Sequence, residues 1–210
     1  TEKLLHFLES DTKPGKESVT FLVGNAGMGK TVVMSDVLKE IEHREEWQSI
    51  VLKADMLKFE NDVSSFMIDI LRKLDNQPKG NRTIIIIDQI DALSQCLSSN
   101  RQPLNVIDAL IEKSSEKENT KVLVSCRPYD MNYAPILRKY RTGKSIFLQP
   151  LTYNQVVDVL ARLGRKVPIQ ESKLALFLST PLHLELFIQY GKDDCEIVSL
   201  QSLFDSLWNK

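Results

Sequence analysis

The stretch that most limits what this chain can become is Gly24-Asn25-Ala26-Gly27-Met28-Gly29-Lys30-Thr31. It fits the pattern G-x-x-x-x-G-K-[ST] in full. The apolar run from Val19 to Val23 precedes it and reads as a strand. Met34, Val37, Leu38 and Ile41 follow it on one helical stripe. A strand, a glycine loop and a helix in that order predict a phosphate cradle. The backbone N–H groups of Gly24 to Gly29 turn inward, and the helix N-terminus adds partial positive charge. Ala26, Gly27 and Gly29 are small enough to let the backbone approach a ligand closely. Lys30 would reach the β- and γ-phosphates of a nucleotide, and the Thr31 hydroxyl would ligate Mg²⁺.

A second segment sharpens the first. Thr83-Ile84-Ile85-Ile86-Ile87-Asp88 is a β-branched run that ends in a carboxylate. A strand apolar on both faces belongs inside a parallel sheet covered on both sides. An acid at its C-terminal end emerges in the crevice where open α/β sheets bind ligands. This is the Walker B arrangement, and Asp88 would hold Mg²⁺ through water. Asp91 follows close behind. It reads either as a group that orients or deprotonates an attacking water, or as a cap for the segment beginning Ala92-Leu93.

At 210 residues the chain is long enough to bury a substantial core. A net charge of −1 argues against a broad polyelectrolyte surface, so nucleic-acid binding through this segment is not expected. Cys96, Cys126 and Cys195 show neither metal-ligand nor disulfide spacing and read as reduced thiols of a cytoplasmic chain. No apolar run is long enough to span a bilayer, and the first residues carry no signal-peptide pattern. His6, His43 and His183 are scattered. His183, in the first turn after Pro181, reads as a structural histidine or a nucleotide contact.

Further strands are expected at Ser49–Ala54, Lys121–Cys126 and Ser145–Leu148, with helical stripes between them (Val63 to Leu74, Leu104 to Ile111). The expected fold is therefore α/β: a five-stranded, mostly parallel sheet covered by helices, built from βαβ units. After Pro150 the strand signal ends. Thr152 and Gln155 form a capping box, Gly164 can stop that helix, and Pro181 can open another behind Thr180. A last stripe runs from Ser199 to Trp208 and predicts a piece of a longer protein. The expected division is a linker helix at 1–17, a P-loop domain at 18–150 and a small all-α subdomain at 151–210.

Together GNAGMGKT, IIIIDQIDAL, VLVSCRP and LSTPLHL resemble the STAND class of P-loop NTPases, and within it the NACHT-type modules. The resemblance runs from about Ser18 to the last helix. It implies that Arg127 senses the γ-phosphate of ATP, a role its place at a sheet's C-terminal edge also suits. A surface arginine before a proline turn is the other reading. It implies that Pro181 packs near the adenine, although helix initiation explains a proline there as well. It implies a switch between ATP and ADP, oligomerisation of like copies when ATP is bound, and effector and sensor domains outside this segment. Relatives serve antiphage defence or innate immunity. Many NACHT modules carry an acid directly after the second Asp; Ala92 stands here, which implies slow hydrolysis rather than lost binding. Two rivals remain. One is an AAA+-type ATPase acting on DNA, with Arg162 or Arg165 in its lid. The other is a scaffold that binds nucleotide without turning it over. A GTPase lacks support, because no N-K-x-D tetrapeptide is present.

Overall fold

The computed structural model describes residues 2–10, 14–59, 63–78, 80–94, 102–170 and 172–190. The strands β1 (Val19–Val23), β2 (Trp47–Lys53), β3 (Arg82–Asp88), β4 (Thr120–Cys126) and β5 (Lys144–Phe147) form one sheet in the order β2-β3-β4-β1-β5. Every pairing is parallel. The α/β class and the parallel sheet are thus as the sequence predicts. Order along the sheet departs from order along the chain at β1: one connection leaves it toward β2, and the chain later passes it to place β5 on its other side. The crevice at this switch in strand order, at the carboxyl ends of β1 and β4, is where such a sheet takes a ligand.

Burial explains why these residues form these strands. Every residue of β1 and β4 is buried. Phe21, Ile85, Ile87, Val122 and Val124 share one core cluster with Ile70 and Leu74 of α3 (Val63–Asp75) and Ile107, Leu110 and Ile111 of α5 (Gln102–Ser115). Leu22, Ile84, Ile86 and Leu123 alternate with them and are equally buried, so the inner strands are covered on both faces. α2 (Lys30–Glu42) buries Met34, Val37 and Ile41, three of the four residues on the expected stripe. α1 (Glu2–Glu9) buries Leu4, Phe7 and Leu8.

The chain divides into two compact units, Thr1–Asn25 with Lys30–Phe147, and Ala26–Gly29 with Leu148–Lys210. The second holds α7 (Tyr153–Arg162), α8 (Lys173–Leu178) and α9 (Pro181–Tyr190) around Val156, Leu160, Leu178, Leu184 and Phe187. Thr152 and Gln155 form the expected capping box at the start of α7. Gly164, with φ +65°, follows that helix in the left-handed conformation that ends helices.

Differences from the sequence reading lie at edges and in short elements. The second and fifth strands each begin and end one or two residues earlier than expected. Their limits are set by the neighbouring ladder: Trp47 pairs with Arg82, and Lys144 with Thr20. α4 (Asp91–Ser94) and α6 (Pro128–Tyr133) carry too little periodic pattern to be read from sequence. Phe66, on the expected stripe of α3, is 40% exposed at the margin of the packed face. The loop at Ser98–Asn100, Cys96, Cys195 and the stripe from Ser199 lie outside the described residues.

Ile85 has no exposed surface and faces the α3–α5 side of the sheet. Ile85→Ala removes buried carbon that the close-packed strands cannot refill, and is expected to lower unfolding free energy by about 2–5 kcal/mol in urea denaturation. A loss under 1 kcal/mol would refute this picture of the core.

Candidate functional site

The glycine loop leaves β1 at Gly24, whose N–H donates to the Cys126 carbonyl at 3.2 Å, and α2 begins at Lys30. Gly27 and Gly29 have φ of +76° and +81°, a conformation costly for residues with a Cβ. A Cβ at Gly27 would also stand 3.0 Å from the Leu182 Cβ. Leu182 N–H donates to the Gly27 carbonyl at 3.1 Å. The loop's centre, Ala26–Gly29, thereby belongs to the second unit. Pro181, flanked by these Gly27 neighbours Thr180 and Leu182, opens α9, where its missing N–H costs no helical bond.

Four charged groups gather at the carboxyl ends of β3 and β4. Lys30 Nζ donates to the Gly24 and Asn25 carbonyls at 2.7 and 3.0 Å. Burial is the main cause that lowers its pKa, while the Asp91 charge pulls the other way. Thr31 Oγ1 donates to Asp88 Oδ2 at 2.8 Å, which ties the first motif to the second. Arg127 Nε lies 2.7 Å from Asp91 Oδ2. Asp91 is 3% exposed, and burial raises its pKa despite the opposing pull of the guanidinium. Thus Lys30, Thr31, Asp88, Asp91 and Arg127 lie together in the first unit. Asp91 is also the first residue of α4.

Two residues at this site carry no obvious signal in the sequence. Ser125, wholly buried in β4, donates from Oγ to Asp88 Oδ1 and accepts from the Gln89 N–H at 2.7 Å. A lone hydroxyl in the apolar run Val122-Leu123-Val124 was the available clue. Asp130, 4% exposed in α6, adds negative charge that raises the pKa of Asp91. Nothing in Pro128-Tyr129-Asp130 sets it apart from a polar turn.

Thr31 and Asp88 offer neighbouring oxygen ligands, the donor chemistry a hard cation such as Mg²⁺ takes. A phosphate loop with a lysine, an acid pair and an arginine suits the binding and in-line hydrolysis of a nucleoside triphosphate.

The sequence profile described as "ATPase family associated with various cellular activities (AAA)" matches residues 20–150, well over half of the chain. The chain belongs to the AAA family of ATPases. That family is one of ATPases. No curated protein matches the sequence. Among solved structures, one described as the Aeropyrum pernix Orc1 protein in complex with DNA aligns with a TM-score of 0.60 at 15% identity. That alignment covers 99% of this chain and 62% of the Orc1 chain. At such identity the likeness is one of fold. The AAA match meets the P-loop expectation at its coarser level and carries no STAND or NACHT subdivision. The expectation that nucleic acid is not a partner draws no support from these matches. Among the described residues, no helix is long and apolar enough to cross a membrane.

The Asp91–Arg127 pair makes a pH prediction. Asp91 binds its proton more tightly in the folded protein than in the unfolded chain. Its contribution to stability is therefore complete below the unfolded pKa and is lost as pH rises through the folded value. Arg127→Gln removes the charge that opposes this shift. The Asp91 titration is expected to move to still higher pH, and the variant to lose stability toward neutral pH relative to acid. Carboxyl NMR titration with paired denaturation curves measures both; an unmoved Asp91 midpoint would show that the guanidinium does not act on it.

Proposed function

We propose that this AAA-family domain is an ATP-dependent switch module of the STAND type, similar to the NACHT modules. The observation that carries the reading is the Thr31–Asp88 hydrogen bond, which joins the two nucleotide motifs in one site beside the Asp91–Arg127 pair. Gly24 to Gly29 would cradle the phosphates, with the Lys30 ammonium among them. Thr31 and Asp88 would hold Mg²⁺. A bound Mg²⁺ would neutralise charge building on the phosphate oxygens. Asp91 would orient the attacking water, and Arg127 would meet the γ-phosphate. Pro181 would pack near the adenine, a reading supported by the contacts of Thr180 and Leu182 with the loop at Gly27. Ala92, where relatives carry an acid, supports slow turnover. Slow turnover suits a switch whose ATP-bound copies oligomerise and relay to effector and sensor domains beyond this segment.

A second reading has its own support. The fold likeness to a protein solved in complex with DNA favours an AAA+-type ATPase that acts on DNA. For that role Arg165 is poorly disposed as a lid arginine. Its Nη2 donates to the Ile188 carbonyl at 2.7 Å, near the C-terminal end of α9. Arg162 is exposed and open to such a role.

Calorimetric binding of ATP and ADP with Mg²⁺, with phosphate release followed on the same sample, tests both readings. Lys30→Ala is expected to weaken ATP binding at least about tenfold, since a charged donor to phosphate is lost. Wild type is expected to release phosphate slowly, with no change on adding duplex DNA. Turnover stimulated by DNA would replace the switch with the second reading. No ATP binding by wild type would overturn both.

A further inference from the structure

We infer that Ser125 is a positioning residue of the nucleotide site: it holds one oxygen of Asp88 while Thr31 holds the other, and it fixes the turn that delivers Asp91. The inference rests on the ATP-binding reading. Ser125 has no exposed surface, and a hydroxyl in that position is costly unless its bonds are made. A serine has one proton to give. Here that proton goes to Asp88 Oδ1, so the Gln89 N–H, 2.7 Å away, meets a lone pair of the same oxygen. The backbone joins in: Ile90 N–H donates to the Ser125 carbonyl at 3.2 Å. Gln89 between them has φ +60°, a left-handed conformation that few residues with side chains adopt without support. Ser125 thus grips the chain at Asp88, Gln89 and Ile90 in succession, and Asp91 follows at once.

The consequence is a carboxylate with one permitted orientation. Thr31 Oγ1 donates to Oδ2 and Ser125 Oγ to Oδ1, so rotation of Asp88 would break one bond or both. Outer partners of this kind orient a metal-holding carboxylate, and their loss lowers metal affinity by about 10–100-fold. Removing the Ser125 hydroxyl leaves the Asp88 charge in place, so nucleotide affinity without metal should not change. In binding measurements the hydroxyl's effect should therefore appear in the metal dependence.

The test is binding of a fluorescent ATP analogue to the whole chain, in EDTA and across a Mg²⁺ titration, for wild type, Ser125→Ala, Ser125→Thr and Lys30→Ala. Ser125→Ala is expected to raise the half-saturating Mg²⁺ concentration by about tenfold or more, with unchanged affinity in EDTA. Ser125→Thr keeps the hydroxyl and is expected to stay close to wild type. Should Ser125→Ala fail to fold, Ser125→Cys fills nearly the same space with a weaker donor and is expected to shift in the same direction. A folded Ala or Cys variant with the wild-type Mg²⁺ midpoint overturns the proposal while leaving ATP binding intact. Wild type that binds the analogue no better than Lys30→Ala overturns the ATP-binding reading and this inference together.

Discussion

Asp88 and Asp91 stand at 5% and 3% exposure at the carboxyl edge of the sheet, and a carboxylate so far from water must be matched by donors or a cation. Asp88 is matched by two hydroxyls, Thr31 at the start of α2 and Ser125 in β4. Asp91 is matched by the Arg127 guanidinium, just past the end of β4. These partners come from widely separated parts of the chain. Meeting the demand of two acids therefore fixes the end of β3, the end of β4 and the first turn of α2 against one another. Leaving either acid unmatched would cost several kcal/mol, a large share of the stability of a domain this size.

The sheet makes that arrangement possible. β3 and β4 are buried on both faces, so their backbones have little freedom to shift. Their parallel register sets Ile87 beside Val124, which leaves the next residues, Asp88 and Ser125, side by side. Apolar packing sets the register, and the register places the polar pair. In this sense the isoleucine run of β3 does chemical service although it touches no ligand.

Much of this was legible in the sequence, for stated physical reasons. Loop, lysine and strand-end acid were readable because each has a spacing that chemistry demands and a flank whose period differs, 2 or continuous for strands and 3.6 for α2. The capping box at Thr152 was readable because it is a local, reciprocal pair. Ser125 was not, because its meaning comes from its lateral neighbour on β3, and strand order does not appear in a linear pattern. The Arg165 bond to Ile188 and the burial of Asp130 were hidden for a related reason: both depend on packing between elements far apart in sequence or too short to carry a period. Strand limits at Trp47 and Lys144 moved because partners, not propensity, decide where a ladder begins.

Cys126 gives the site an internal clock. Burial, with negative charge from Asp91 and Asp130 beside it, pushes its thiol up to about 12, and its carbonyl accepts the Gly24 N–H that starts the glycine loop. While β4 keeps its place, sulfur is protonated, enclosed and inert to alkylating reagents, which attack the thiolate. Labelling at this position must wait for the strand to part from its neighbours. Its rate would then read how often the floor of the site comes open, a local quantity distinct from unfolding of the whole domain.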